Sequence, residues 1–314
     1  MSGTNDNKAP PQPPSKKPKV ENPPCTLASL PPYPGVRQLQ RATATALGQT
    51  PHSLLRDLSL LPITQITEVV NQHASTLDTV VDIINSMPTQ FAESHPHLSQ
   101  DTLASQQCHP LLLETLKPVV TRGDGNCMYN ALSLVLSSSQ ELHALIRLLC
   151  VYALLKHKSV IIEALNDSYR QERSRPNILR MYTQALREAV TLGAWGSDHH
   201  LFALSLVLGR PIFMFHSFYE TPSGSSHRQL QLANTRDVHH LSERFSAREP
   251  PTRVHVLTCS NSIAATLLGF GMDHLPYPPL SICHVGNSHW VAMLPLSQSV
   301  LSHVPIPTTR LFIE

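Results

Sequence analysis

Between Leu116 and Leu136 the chain reads LKPVVTRGDGNCMYNALSLVL. A short strand-like run, Leu116 to Thr121, enters a turn carrying Gly123 and Gly125, and an apolar helical run begins directly after Cys127. This junction constrains the fold strongly. A strand must end, the chain must reverse within a few residues, and a helix must start at the strand's mouth and lie against the sheet. Cys127 stands at that helix N-terminus. Three roles suit a cysteine there: a thiolate nucleophile, a metal ligand, or a small core residue that follows a turn.

The pattern continues as mixed helix and strand. A helix is expected after Cys127 through Ala131, Leu132, Leu134, Val135 and Leu136. Ser138-Ser-Gln-Glu141 has the form of a capping box and opens a second helix, with an apolar stripe at Leu142, Leu145, Ile146, Leu149, Ala153 and Leu154. Pro176 suits the first turn of a third helix, through Ile178, Met181, Ala185, Leu186 and Val190, stopped near Gly193. Ser197 caps a fourth, Asp198 to Leu208, with Gly209 as its left-handed stop. PIFMF, VHVLTC (Val254 to Cys259), SICHV (Ser281 to Val285) and HWVAML (His289 to Leu294) read as strands. Gly286-Asn287-Ser288 joins the last two as a hairpin turn. The expected class is α+β, a small central β-sheet flanked by helices.

Outside this region the composition changes. Residues 1–36 hold ten of the 27 prolines and lack apolar periodicity, the pattern of a disordered Pro-rich tail. Lys16, Lys17 and Lys19 in that tail resemble a short nuclear import signal. Residues 37–114 form a helical region of unknown role. There, Ile63, Ile66, Val69 and Val70, then Leu77, Val80, Val81 and Ile84, have the spacing of two amphipathic helices. The main domain is expected over 115–296, with a polar insertion at 221–252 and a C-terminal tail at 297–314.

With 314 residues, 41% of them apolar, the chain can bury a sizeable core. A net charge of +2 gives no global basic field, so direct nucleic-acid binding is not expected. No apolar run approaches the roughly 18 residues of a membrane span, and the first residues lack a secretory stretch. Six scattered cysteines without a C-x-x-C pair suggest reduced thiols. The expectation is a cytoplasmic or nuclear protein.

A thiolate nucleophile needs a pKa below the free value of about 8.5. The positive end of a helix dipole lowers it, and so does a nearby imidazolium. The turn before Cys127 also gathers backbone N–H groups, and those of Gly125, Asn126 and Cys127 are candidates for an oxyanion hole. The base must come from elsewhere. His289, at the start of a strand with Trp290 behind it, is one of 18 histidines, and spacing alone does not select it.

Three blocks in order do select it. Asp124-Gly-Asn-Cys127, then Trp195-Gly196 with a helix ending in Gly209-Arg-Pro-Ile212, then His289-Trp290 on the last strand pair resemble the ovarian tumour (OTU) family of papain-like cysteine peptidases. The resemblance implies a papain-like fold over 115–296. It also implies hydrolysis of isopeptide or peptide bonds after the C-terminal glycine of ubiquitin, without cofactor or metal. Cys127 would be the nucleophile, His289 the general base, and Asp124 an active-site acid that holds the oxyanion loop. The partners implied are ubiquitin, polyubiquitin chains and ubiquitinated proteins. The run MYNALSLVLSSSQELHALIRLL is similar to vertnin and transposon-derived OTU proteins, which include scaffolds and chromatin factors. Many members carry Asp or Asn two residues after the histidine to orient its ring. Val291 stands there in this chain, and Asn287 is the candidate substitute.

Other features carry less. Cys283-His284, Cys108-His109, His199-His200 and His239-His240 lack the spacing of a four-ligand zinc site. Cys150 and Cys259 read as core residues, Trp195 as a packing residue of the site wall, and Arg210 as a surface or structural charge.

Overall fold

Strand β1 (Leu116–Val119) lies at the edge of a four-stranded sheet of order β1-β4-β3-β2, with β2 Ile212–His216, β3 Leu280–Val285 and β4 His289–Pro295. Strands β1 and β4 are antiparallel, with Val119 opposite Ala292. Strands β3 and β4 are antiparallel, with Val285 opposite His289, and β2 runs parallel to β3. This computed structural model describes residues 26–31, 34–108, 113–168, 176–210, 212–216, 280–286 and 289–298. Most of the Pro-rich tail with Lys16, Lys17 and Lys19, the 221–252 insertion, the Val254–Cys259 strand, Asn287 and most of the C-terminal tail lie outside the described residues.

Ten helices of the described residues accompany the sheet: α1 Val36–Leu47, α2 Pro51–Ser59, α3 Ile63–Gln72, α4 Ala74–Ser86, α5 Thr102–Gln107, α6 Cys127–Ser137, α7 His143–Lys156, α8 Lys158–Ser168, α9 Ile178–Val190 and α10 Asp198–Leu208. Alternation along the strands separates two faces. Trp290, Ala292, Leu294 and Ile282 belong to the larger core with α6, whereas Val291, Met293, Cys283 and Phe213 pack with Ala104 and Cys108 of the α5 segment. The mixed α+β sheet with helical flanks is the architecture expected from the residues.

The two amphipathic helices expected between Ile63 and Ile84 are α3 and α4, and their buried positions include Ile66, Val70, Leu77, Val80 and Ile84. Neither forms a separate core. One cluster of buried apolar residues runs from Leu39 and Leu55 through Leu149 to Leu294. Polar ties cross the same boundary. The Asn85 side chain donates to the Leu208 carbonyl at 2.8 Å, and Asp78 accepts from both Tyr152 and Lys156.

Two helix starts differ from the sequence reading. Ser138 is not the opening of a capping box; it is the left-handed C-cap of α6, at φ 55°. Helix α7 begins at His143 with no side-chain cap. Its start is fixed instead by burial of Leu142, whose N–H donates to Ser133 Oγ at 3.0 Å. The N-cap of α9 is Asn177, which accepts from the Arg180 N–H, so Pro176 lies outside the helix. Ser197 and Gly209 flank α10 as expected, with Gly209 at φ 57°.

Candidate active site

Helix α6 begins at Cys127 because the preceding turn uses up its own polar groups. The Asp124 carboxylate accepts from the Asn126 N–H at 2.9 Å and from the Asn130 side-chain amide at 3.0 Å, one helical turn further on. Asn130 also donates to the Arg122 carbonyl at 3.4 Å. Asp124 therefore ties the turn to the first residues of α6. The Asn126 N–H is engaged with Asp124, which leaves the Gly125 and Cys127 N–H groups as the oxyanion candidates.

Gly125 has no room for a side chain. Its φ is +78°, and a Cβ there would lie 1.9 Å from the Gly193 carbonyl oxygen. The GDGNC turn is thus pressed against the α9–α10 loop. On the other side, Thr121 ties the turn to β4: its hydroxyl donates to the Val119 carbonyl and accepts from the Ala292 N–H at 3.3 Å. Gln140 adds a third brace, accepting from the Arg122 N–H at 2.9 Å and donating to the Val120 carbonyl.

These ties bring the first strand's turn to the start of β4. A Cβ on Gly123 would stand 3.8 Å from His289 Cε1 and 3.9 Å from Nδ1, so the imidazole borders the turn. The Trp290 backbone N–H points at the Cys127 thiol, as do the N–H groups of Met128 and Cys127 itself. The start of β4, far away in sequence, thus lies against the turn, with His289 beside Gly123 and the Trp290 N–H at the Cys127 thiol.

The thiol's titration differs from expectation. Cys127 is 4% exposed, and burial pushes its pKa above the ordinary value. The three N–H groups work against that, and the Asp124 carboxylate adds to it. Desolvation outweighs the helix N-terminus here, because a thiolate loses more from leaving water than partial backbone charges restore.

Val291 is fully buried in the apolar cluster with Cys283, Met293 and Cys108, so it offers the imidazole no hydrogen bond. Asn287, the candidate substitute, lies outside the described residues. His284 is close to the site in another way. Its ring stacks on Trp290 with centroids 4.5 Å apart, and burial, with the charge of His289 second, lowers its pKa to about 4.

The buried Arg147 is the residue the sequence reading missed. Its guanidinium donates to the Asn126 side-chain oxygen at 2.9 Å and to carbonyls of the α9–α10 segment. The signal was a single charge inside the apolar run HALIRLLCVYALLK. Trp195 also departs from expectation. It is 60% exposed rather than packed, on the loop whose Gly193 and Gly196 back onto Gly125 and Met128. Arg210, expected as a surface or structural charge, is buried and so is the structural one. Among the described residues no group of histidines, cysteines and carboxylates is arranged to hold a metal ion. The Cys108 and Cys283 thiols lie 3.5 Å apart as a buried pair.

Residues 118–232 match the family model described as "Vertnin, OTU domain". The chain carries a vertnin-type OTU domain. The match spans the DGNC turn and α6 to α10, and stops short of His289. Among solved structures the chain is similar to the viral OTU domain protease from Farallon virus, at 17% identity over 59% of this chain and 86% of that one, with a TM-score of 0.33. It is also similar to the OTUD1 OTU domain, at 16% identity over 61% and 95%, with a TM-score of 0.35. No curated protein matches the chain. No helix among the described residues of this OTU protein is long and apolar enough to cross a membrane.

Proposed function

We propose that this OTU domain is a cysteine peptidase acting at the C-terminal glycine of ubiquitin, alone, in chains or on conjugated proteins. The observation that carries the proposal is the meeting of the α6 N-terminus with the start of β4, where the Trp290 N–H faces the Cys127 thiol and the adjacent His289 borders Gly123.

In this mechanism His289 accepts the Cys127 proton and the thiolate attacks the glycine carbonyl carbon, forming a C–S bond. The oxyanion is held by the Gly125 and Cys127 N–H groups, in a turn that Asp124 keeps rigid. Collapse breaks the C–N bond as the imidazolium gives its proton to the departing amine. A water then attacks the thioester, His289 takes its proton, and the Cys127 thiol is released.

Burial helps and hinders this chemistry. It excludes water from the reacting atoms, but it raises the cost of the free thiolate, so proton transfer and attack must be closely coupled. The direct test is steady-state hydrolysis of a fluorogenic ubiquitin C-terminal amide. Cleavage by the wild type that disappears in Cys127→Ala and falls steeply in His289→Ala supports the peptidase. Cleavage that persists in Cys127→Ala removes it.

A second reading has its own observation. With apolar Val291 two residues after the histidine on the same strand and a thiol raised by burial, the same fold serves a catalytically weak OTU-like binding protein or scaffold. In that case ubiquitin binding survives in Cys127→Ala while the wild type shows no hydrolysis. Lys16, Lys17 and Lys19 would supply nuclear import in either reading. Nuclear accumulation unchanged after their replacement by alanine would remove that part.

A further inference from the structure

The feature of the site least expected from sequence is a buried cation that touches no substrate position. Arg147 is 0% exposed and projects from the middle of α7. Its Nη1 donates to the carbonyls of Glu188 and Thr191, each at 2.8 Å, and more weakly to Ala189 at 3.5 Å. Its Nη2 donates to the Ala194 carbonyl at 2.6 Å and to Asn126 Oδ1 at 2.9 Å. The guanidinium carbon lies 4.1 Å from the centre of the Tyr129 ring. These partners are backbone carbonyls, one amide oxygen and an aromatic face, with no carboxylate among them. A buried charge held in this way is costly to keep and demands a fixed geometry from everything around it.

The geometry it fixes is that of the nucleophile's turn. Asn126 Oδ1 accepts a second bond, from the Gly193 N–H at 3.0 Å, so one side-chain amide joins the catalytic turn to both Arg147 and the α9–α10 loop. The same loop abuts Gly125. Arg147 therefore closes a ring: α7, the end of α9, the loop through Ala194, and Asn126 next to Cys127.

Resting on the reading of Cys127 as nucleophile, we propose that Arg147 is a positioning residue, which through Asn126 aims the backbone N–H groups of the turn and of the first residues of α6 at the reacting sulfur and oxyanion. A planar fork suits this task, because two terminal nitrogens serve two segments at once. A lysine ammonium in its place reaches only one.

The test measures carbamidomethylation of Cys127 by iodoacetamide across pH, read by mass spectrometry of the Cys127 peptide, with thermal melting in parallel. Asn126→Ala removes the acceptor and leaves the carbonyl bonds of Arg147 in place. It is expected to slow alkylation at neutral pH about tenfold and move the pH midpoint upward, and to lower the melting temperature, since the Arg147 and Gly193 donors lose their acceptor, while the protein stays folded at the assay temperature. Asn126→Asp keeps the acceptor and is expected to restore the rate at the alkaline plateau. Arg147→Lys, where it folds, is expected to behave like Asn126→Ala.

A folded Asn126→Ala protein with the wild-type rate and midpoint overturns the proposal, and it does so whether or not Arg147→Lys folds. Iodoacetamide needs no ubiquitin. A wild type inert toward ubiquitin substrates would therefore defeat the peptidase reading alone, and the alkylation comparison would still decide the role of Arg147.

Discussion

The Asn130 side-chain amide donates to the Asp124 carboxylate at 3.0 Å, joining the second turn of α6 to the loop that precedes it. The same carboxylate oxygen takes the Asn126 N–H. Asp124 is also a negative charge that pushes the Cys127 thiol up. The two effects separate in Asp124→Asn, which keeps an acceptor oxygen and removes the charge. Its Cys127 alkylation midpoint should move to lower pH, because the thiolate no longer faces a carboxylate. Asn130→Ala should instead cost about 1–3 kcal/mol by urea denaturation, since it leaves a part-buried carboxylate short of a donor.

The two glycines of the turn should respond differently. Gly125→Ala places a Cβ at φ +78° and 1.9 Å from the Gly193 oxygen. Strain and overlap together should cost roughly 2–4 kcal/mol. At Gly123 the nearest atoms to a new Cβ are those of His289 at 3.8 and 3.9 Å, ordinary contact. Gly123→Ala should therefore fold with nearly wild-type stability, and denaturant midpoints of the two variants check the contrast.

The helices before β1 share the core of the OTU domain. Leu55 of α2 is fully buried in the cluster that also holds Trp290. Leu55→Ala should cost about 2–5 kcal/mol, and tryptophan fluorescence and far-UV circular dichroism should shift together. Two separated transitions in that variant would show that the helices melt alone.

His200 gives the chain an acid limit. Its Nδ1 accepts from the Ser197 N–H at 2.9 Å and its Nε2 meets the Ala185 carbonyl at 2.9 Å. Burial, with smaller contributions from His199 and Arg147, lowers its pKa from 6.5 to about 4. The unfolded chain therefore binds the extra proton first as pH falls. The contribution of neutral His200 to stability is complete above about pH 6.5 and is lost progressively down to about pH 4, on the order of 3 kcal/mol in all. Urea denaturation at pH 7.5 and pH 5 should show the decline. His200→Gln should reduce the slope, leaving the shares of the other histidines that burial depresses, His284 at about 4 among them, partly offset by Asp198, whose carboxyl burial raises to about 6.

Much of this fold can be read from residue spacing. The strand–turn–helix junction, α3 and α4, the stop at Gly209 and the strands beginning at Ile212 and His289 all carry local signals that the fold keeps. Helices α1 and α2 carried signals too, Gly48 after one and Thr50-Pro51 before the other, and both glycine stop and proline start are present in the structure. Both lie in the helical region expected over 37–114, where the caps set the bounds that the apolar spacing alone does not. The capping box expected at Ser138 does not form. Tertiary burial of Leu142 overrode a local motif, and the serine became the end of the helix before it.

At the site, Cys127 and Asp124 are legible because their chemistry is local to one turn. Two features are not. The exposure of Trp195 and the ring closed by Arg147 depend on the α9–α10 loop coming back against the turn. The raised thiol likewise follows from burial depth, which no periodicity encodes.

The central claim, that Cys127 attacks a ubiquitin C-terminus with His289 as its base, is tested most directly by covalent capture with ubiquitin carrying a C-terminal electrophile. The account predicts a stable adduct on the wild type, mapped to Cys127 by peptide mass spectrometry, absent in Cys127→Ala and strongly slowed in His289→Ala. An adduct on another cysteine, or capture that survives in Cys127→Ala, would contradict it.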